Sequence, residues 1–239
     1  MLNFIGIGAQ KAGTTWLYTH LNRHPDITFP RRKEYHFWNT WNGQINGHFS
    51  DFCYDFSVNL NDVNKLGDFT PAYSVLPIER IKWIHAFEPD VKIIFILRNP
   101  IERAWSAAKM ALKRAQMTRN EASDQWFLDV INSRASIERG DYEKILRNWY
   151  SVFPKNQILV LKFEEISKNP VNFICKCSDF LEIDSSFYES SDKGGFDKVV
   201  FSSEPFTMPP SVEGQLHRIY NTKIEKLSDY LDDDFSAWL

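Results

Sequence analysis

Three short apolar runs predict buried β-strands, at residues 3–8, 91–97 and 157–162. Continuous apolar runs of this length are typical of strands that are covered on both faces of a parallel sheet. A shorter strand is predicted at 26–29. Elsewhere apolar residues recur at helical spacing, which predicts helices at 13–23, 76–87, 100–115, 121–135, 141–151, 170–182 and 210–231. This alternation predicts an α/β fold in three layers, with a central parallel sheet flanked by helices, and such sheets bind ligands at the carboxyl ends of their strands.

Two segments, 36–66 and 183–209, show no sustained apolar period and are rich in residues that favour turns. We expect both to run over the surface as long loops, where binding residues are often found. The length of 239 residues suits one large α/β domain, so we expect a single domain over residues 1–239.

The charge balance argues against a protein that binds nucleic acid or a membrane surface through its overall charge. The chain has 28 Lys and Arg residues against 31 Asp and Glu residues, a net charge of −3. The first apolar run begins just after Met1 and no run approaches the ~20 residues of a membrane span, so we expect a cytoplasmic protein without a signal peptide. The three cysteines do not form the paired pattern of a zinc site. Aromatic residues make up 15% of the chain, and we expect some of them to line an acceptor cleft.

The segment FIGIGAQKAGTTWLYTHL, residues 4–21, is suited to holding a phosphate group. A predicted strand leads into a loop bounded by Gly8 and Gly13, and the helix that follows directs its unpaired N–H groups and positive dipole end into that loop. The spacing of the glycines matches the P-loop of nucleotide-hydrolysing enzymes, which makes the predicted fold P-loop-like. That motif has Lys directly after its second Gly, whereas here Thr14 stands there and Lys11 lies within the loop.

A second anion site is predicted just after the strand at 91–97. Arg98 ends that strand, Pro100 begins a helix in the position that proline favours, and Ser106 lies eight residues after Arg98. Nucleotide-hydrolysing enzymes normally place a magnesium-binding aspartate at this strand end, whereas Arg98 can bind a phosphate through two charge-assisted hydrogen bonds. Two anion sites imply a ligand with two separated phosphate-type groups, such as a 3′-phosphorylated adenine nucleotide. Arg103 is either a further ligand contact or an arginine on the helix surface or in a salt bridge.

Both motifs resemble those of sulfotransferases that use 3′-phosphoadenosine 5′-phosphosulfate (PAPS), through GxxxxGTT with a displaced Lys and R-N-P-x-x-R-x-x-S. The resemblance extends over nearly the whole chain and is closest to heparan-type and bacterial carbohydrate sulfotransferases. It implies that Lys11 stabilises the leaving oxygen, that Arg98 and Ser106 hold the 3′-phosphate, and that adenosine 3′,5′-bisphosphate (PAP) is the product, without a metal. The residues implied to hold the 5′-phosphate side of the donor are Gln10, Lys11, Ala12, Gly13, Thr14, Thr15 and Trp16.

The segment KEYHFW, residues 33–38, is the candidate for the catalytic base. The acceptor must lose a proton as the new bond forms, so a carboxylate or imidazole has to lie within hydrogen-bonding distance of it. Heparan-type sulfotransferases have E-x-H-F-F here, with Glu as the base. The resemblance therefore implies that Glu34 is the base and His36 an orienting or secondary group.

The later segments match the family less closely. LGDFTPAYS, residues 66–74, resembles the K-[ST]-P-x-Y segment, but Phe69 stands where the heparan-type enzymes have Lys. Asp68, Thr70 and Tyr73 either line the cleft or serve packing. Further on we expect Tyr142 to face the acceptor, Trp149 and Phe153 to be core residues, and Lys198, with Lys193, to contact the donor.

The sequence leaves the acceptor and the oligomeric state open. The acceptor is a small molecule or a glycan, with a carbohydrate favoured by the resemblance. Two other functions compete with a sulfotransferase: a P-loop kinase of small molecules, opposed by Thr14 and Arg98, and a non-catalytic nucleotide-binding protein, opposed by the presence of Lys11 and Glu34.

Overall fold

The structure is a computed structural model that describes residues 2–44, 47–57, 65–189, 196 and 206–239. Contacts within the chain divide it into two compact units, Met1–Leu97 with Asn148–Val200 and Arg98–Arg147 with Phe201–Leu239. The single domain over residues 1–239 stays a prediction.

A parallel sheet forms the centre of the first unit. Within the described residues its strands are β1 (Phe4–Gly8), β2 (Ile27–Thr28), β3 (Lys65–Phe69), β4 (Lys92–Leu97) and β5 (Ile158–Lys162). Their order is β2-β3-β1-β4-β5, and every pair is parallel. Strand β1 is buried along its whole length because it lies between β3 and β4. The predicted α/β class, with a central parallel sheet flanked by helices, is confirmed.

The described ranges contain helices in each of the seven predicted segments, and further helices where none was predicted. In chain order they are α1 (Thr14–Leu21), α2 (Phe37–Thr40), α3 (Gly47–Ser57), α4 (Ile78–Phe87), α5 (Pro100–Arg114), α6 (Asp124–Asn132), α7 (Arg134–Glu138), α8 (Tyr142–Tyr150), α9 (Glu164–Lys168), α10 (Pro170–Leu181), α11 (Ser186–Glu189) and α12 (Pro210–Leu231). None of the helices within the described part of the chain is both long enough and apolar enough to cross a membrane.

Local sequence signals explain several helix ends. Asn99 accepts a hydrogen bond from the N–H of Ile101 and Pro100 occupies the first turn, so α5 begins where the sequence predicts. The predicted helix 121–135 is instead two helices, because Ser133 leaves the helical conformation and its side chain caps the start of α7. A serine in the middle of an apolar period can therefore end one helix and begin the next.

Helices α2 and α3, and the first two residues of strand β3, lie within the predicted loop 36–66 and correct the sequence-based expectation. Strand β3 contains Gly67 and Asp68, which are poor strand formers. Glycine is nevertheless required at position 67, because the ring of Phe4 packs against its backbone and a Cβ there would collide with that ring. Helix α3 forms because Phe52 stacks on Phe37, with ring centroids 3.9 Å apart. Tertiary packing decides both elements, and an apolar period does not reveal it.

The second unit is helical in its described part. Helix α12 packs against α5 and α6, and aromatic side chains fill the space between them. Tyr142 is buried here, and its hydroxyl donates to the backbone carbonyl of Arg98. The expectation that Tyr142 faces an acceptor is therefore wrong for this structure. In the first unit, Trp149 and Phe153 are buried, as predicted for core residues.

Candidate active site

The loop after β1 has the geometry of an anion cradle. Gly13 is the N-cap of α1 with a φ of 79°, and among the described residues no side chain caps the first N–H groups of the helix. These N–H groups have no partner within the helix and are available to a ligand. A Cβ at Gly13 would lie 2.6 Å from Cδ1 of Ile166, so both the backbone conformation and the space require glycine.

Lys11 sits within this loop in a left-handed conformation, with a φ of 69°. A residue with a Cβ adopts this conformation at a cost, and such residues cluster at functional sites. Of its predicted neighbours, Ala12 and Thr14 are buried, whereas Gln10 and Thr15 are partly exposed. The structure therefore brings the predicted loop residues together around the start of α1.

Trp16 is largely buried on the first turn of α1 and stacks against an aromatic group. Its ring lies 4.3 Å from the ring of His20 and 5.7 Å from that of Phe173. Burial, together with the nearby Arg23, lowers the pKa of His20 to about 4. His20 is therefore neutral at physiological pH and acts as a packing partner of Trp16.

The carboxylate of Glu34 lies between two basic groups. Its Oε1 is 2.8 Å from the Lys33 ammonium, and its Oε2 is 3.7 Å from Nε2 of His36. The other ring nitrogen of His36, Nδ1, is 3.1 Å from Oδ1 of Asn39. The two ring nitrogens of His36 therefore face different partners, Nδ1 the Asn39 amide and Nε2 the Glu34 carboxylate. The two residues predicted for the base are thus adjacent, and Asn39 orients the second one.

An open cleft of about 640 Å³ lies beside Glu34, within the first unit. It is lined by aromatic and charged side chains: Tyr18, Phe29, Pro30, Arg31, Arg32, Glu34 and Tyr35. Helix α3 fixes one wall, since Asp55 accepts hydrogen bonds from Arg31 at 2.7 Å and from the Tyr35 hydroxyl at 2.9 Å. Burial, reinforced by Asp55, raises the pKa of Tyr35, which stays a neutral phenol. A cleft with ring faces and hydrogen-bonding groups is suited to a polar organic ligand.

Phe69, which stands where heparan-type sulfotransferases have Lys, has a packing role in this structure. Its ring is buried, with its centroid 6.0 Å from that of Phe29 and 6.2 Å from that of Phe4. It lies directly over Gly6 of β1, where a Cβ would come within 2.1 Å of it. This side chain belongs to the core.

In the second unit, Arg98 lies two residues before the start of α5, and Ser106 lies in the middle of that helix. The Arg98 guanidinium donates from Nε and Nη2 to the same carboxylate oxygen of Glu102, at 3.3 and 3.0 Å. Glu102 is mostly exposed, so a bound anion can replace it as the partner of Arg98. Ser106 is 8% exposed.

Lys109 is a cation of this region that the motif comparison missed. It follows Ser106 by one helical turn, and its Nζ lies 5.9 Å from the ring of Trp105 and 5.8 Å from that of Phe206. Burial and the nearby Arg98 lower the pKa of Lys109, which means that the two cations lie close enough to repel each other. The sequence signal that could have revealed Lys109 is its i, i+3 spacing from Ser106 on a predicted helix.

Arg103 is fully buried, and this excludes the helix-surface interpretation. Its Nη2 donates to the carbonyl of Ser136 at 2.9 Å and to the Tyr220 hydroxyl at 3.3 Å. Within the described residues it stabilises the packing of the second unit. Lys193 and Lys198 lie outside the described residues.

A family model described as "Sulfotransferase domain" matches residues 3–204. Among curated proteins, the chain is 27% identical over 204 residues to heparan sulfate glucosamine 3-O-sulfotransferase 6 of Mus musculus, covering 79% of this chain and 56% of that protein. It is 29% identical over 209 residues to the bifunctional heparan sulfate N-deacetylase/N-sulfotransferase of Drosophila melanogaster, covering 75% of this chain and 19% of that protein. The chain thus spans about half the length of the first relative and less of the second.

Two solved structures share the fold. A sulfotransferase from Alicyclobacillus acidocaldarius superposes with a TM-score of 0.75 at 23% identity, covering 100% of this chain and 98% of that one. The mouse sulfotransferase SULT7A1, solved in complex with PAP, gives a TM-score of 0.57 at 18% identity, covering 94% of this chain and 85% of that one. At these identities the likeness establishes the fold.

Proposed function

Because the chain belongs to the sulfotransferase domain family, we propose that it transfers a sulfuryl group from PAPS to a hydroxyl or amine of an acceptor, and that the acceptor is a carbohydrate. The observation that carries the proposal is the neighbourhood of two groups in the first unit. Lys11 lies in the loop after β1, the backbone of Glu34 is hydrogen-bonded to the end of β3, and β1 pairs with β3. A donor-binding cation and a base at one edge of a sheet suit transfer between two bound substrates.

On the donor side, the loop N–H groups with Thr14 and Thr15 bind the 5′-phosphate, and the ring of Trp16 contacts the donor. The N–H groups at the start of α1, which no side chain of the described residues caps, support this role. Lys11 neutralises the charge that develops on the bridging oxygen as the sulfur–oxygen bond breaks.

Arg98 and Ser106 bind the 3′-phosphate of the donor in this proposal. The Arg98 guanidinium already donates two hydrogen bonds to one carboxylate oxygen of Glu102, and the same N–H groups can bind the oxygens of a phosphate. Lys109 is a second cation of this region, close to Arg98. The contact of Lys198 with the donor stays a prediction.

On the acceptor side, Glu34 accepts the proton of the attacking group. The acceptor oxygen or nitrogen bonds to sulfur, the bond from sulfur to the bridging oxygen breaks, and its electron pair leaves with PAP. His36 faces the Glu34 carboxylate and favours its charged form whenever the ring is protonated. The reaction needs no metal in this scheme, and that independence is itself a prediction.

The carbohydrate acceptor is supported by the cleft beside Glu34 and by the relatives. Aromatic side chains stack on the apolar face of a sugar, and Arg31 and Arg32 at the cleft rim suit acidic substituents. Several relatives are named as heparan sulfate sulfotransferases. A cytoplasmic location also stays a prediction, since one relative is named a membrane-associated sulfotransferase.

The test is calorimetric titration with PAP and with ATP, followed by an acceptor screen with labelled PAPS. We expect tight binding of PAP, weaker binding of ATP, and label transfer to an oligosaccharide in the presence of a chelator. Magnesium-dependent turnover of ATP would support the kinase instead. Binding of PAP without transfer to any acceptor would support the non-catalytic protein.

A further inference from the structure

The backbone that carries Glu34 is held by an unusual set of hydrogen bonds from the end of β3. The N–H of Glu34 donates to the carbonyl of Phe69 at 2.9 Å, and the N–H of Tyr35 donates to the carboxylate of Asp68. The N–H of His36 faces Oγ1 of Thr70 at 3.4 Å. Three consecutive N–H groups therefore point to the three consecutive residues 68–70.

This arrangement keeps two residues in a conformation that they do not favour. Glu34 has a φ of 68° and His36 a φ of 63°, both in the left-handed region that disfavours a Cβ. Such a turn persists only where surrounding contacts determine it. The hydrogen bonds to residues 68–70 are those contacts.

Asp68 is at the centre of the set. It is 3% exposed, and it accepts hydrogen bonds from the hydroxyls of Thr70 and Tyr73, each at 2.8 Å. A hydroxyl has one proton, so once it donates to Asp68 its oxygen is left to accept. The Thr70 oxygen then faces the N–H of His36, and the Tyr73 oxygen accepts the N–H of Trp38 at 3.3 Å.

The polarity of the whole set therefore depends on a carboxylate at position 68. Three donors converge on Asp68: two hydroxyls and the N–H of Tyr35. An amide in its place has a single acceptor oxygen, and its NH₂ group would force at least one hydroxyl to turn round and lose its role as an acceptor.

We propose that Asp68 is a positioning residue that orients the Glu34 carboxylate by holding residues 34–38 through Thr70 and Tyr73. Asp68 itself does not touch the reacting atoms. The proposal rests on the proposed function for its catalytic consequence, but its structural part stands independently. Burial raises the pKa of Asp68 above its usual range, and the hydrogen bonds from Thr70, Tyr73 and the backbone of Tyr35 oppose that rise.

The decisive experiment is a double-mutant cycle with Asp68→Asn, Glu34→Gln and the double variant. Misplacement of a catalytic group by about 1 Å can cost about 10²-fold in rate, so we expect Asp68→Asn to lower kcat by about that factor and to leave PAP affinity unchanged. In the Glu34→Gln background the same substitution should have little further effect, because the base is already lost. If the two losses multiply, Asp68 does not act through Glu34 and the proposal falls.

Glu88→Gln is the matched control. Glu88 is also a buried carboxylate of the first unit that accepts a backbone N–H, from Leu2 just before β1. Glu88→Gln also replaces a buried carboxylate by an amide, but it does so at the opposite end of the strands from Glu34. We therefore expect kcat to stay at the wild-type value. A loss equal to that of Asp68→Asn would indicate general destabilisation and overturn the proposal.

Amide hydrogen exchange of the unliganded protein gives a readout that is independent of activity. We expect Asp68→Asn to accelerate exchange at Tyr35, His36 and Trp38 by about tenfold, which is the worth of one hydrogen bond, while residues of α1 are unaffected. If Asp68→Asn fails to fold, Thr70→Val is the second variant. Among these three amides, we expect Thr70→Val to accelerate exchange at His36 alone. Unchanged exchange refutes the positioning role, whereas absence of transfer in the wild-type enzyme refutes only the proposed function.

Discussion

The left-handed conformation of Lys11 leads to a prediction whose sign is fixed by the backbone. Two variants, Lys11→Ala and Lys11→Gly, both remove the ammonium group, so we expect both to lose turnover by orders of magnitude. They differ only in the Cβ. Any other contact of the lysine side chain is lost equally in both variants, and the comparison isolates the cost of the backbone conformation.

The size of this difference follows from the φ of 69° at Lys11. A residue with a Cβ pays about 1–2 kcal/mol in this conformation, whereas glycine pays about 0.5–1 kcal/mol more than alanine in lost chain entropy. At the middle of the two ranges, the balance favours Lys11→Gly by about 0.75 kcal/mol. For a chain of this size, that difference corresponds to a Tm that is higher by about 1–4 °C.

The assay is thermal unfolding of both variants in one buffer, beside initial rates of sulfuryl transfer. Gln10 provides the control, because it is not among the described residues with a positive φ. There alanine should be the more stable replacement, by about 0.5–1 kcal/mol. If Lys11→Ala unfolds above Lys11→Gly, the loop does not hold this residue in the left-handed conformation, and the reasoning is refuted.

Three further predictions concern the base, the 3′-phosphate site and pH. Glu34→Gln should lower kcat by about 10²–10⁴-fold with unchanged PAP affinity, and full activity across pH would exclude Glu34 as the base. Arg98→Ala should weaken the binding of PAP by about tenfold or more and that of adenosine 5′-phosphate much less, while Glu102→Gln should tighten the binding of PAP by about twofold. Equal effects of Arg98→Ala on both nucleotides would exclude Arg98 as a ligand of the 3′-phosphate. The unfolded chain protonates His20 near pH 6.5 but the folded protein only near 4, so stability should fall as the pH falls from 6.5 towards 4. Urea unfolding should show a smaller acid loss in His20→Phe, and an identical loss would contradict the assignment.

Elements with a regular apolar period were predictable from the sequence. Helix α12 begins at Pro210 and ends at Leu231, as its spacing predicts, and strand β4 was predicted to within a residue. The loop around Lys11 was also predictable, because glycine at two fixed positions is a local requirement of the backbone.

What the sequence could not reveal depends on contacts between distant residues. Asp68 was assigned to either the cleft or packing, since nothing local indicates that its donors are Thr70, Tyr73 and the backbone of Tyr35. The left-handed turn at Glu34 and His36 was equally hidden, because neither residue favours it by itself. A carboxylate of the candidate site therefore had to be understood through its tertiary partners.

The packing of Phe69 over Gly6 restricts the substitutions open to this protein. A Cβ at Gly6 would lie 2.1 Å from the Phe69 ring, so a residue larger than glycine at position 6 would collide with this ring. The position of the Phe69 ring therefore requires a glycine at position 6. Replacing Phe69 by the Lys of heparan-type enzymes would leave a cavity beneath β1 and bury part of a charged side chain among Phe4 and Phe29. The departure from the family at this position is thus entrenched, and an evolutionary return would require coordinated changes at several positions.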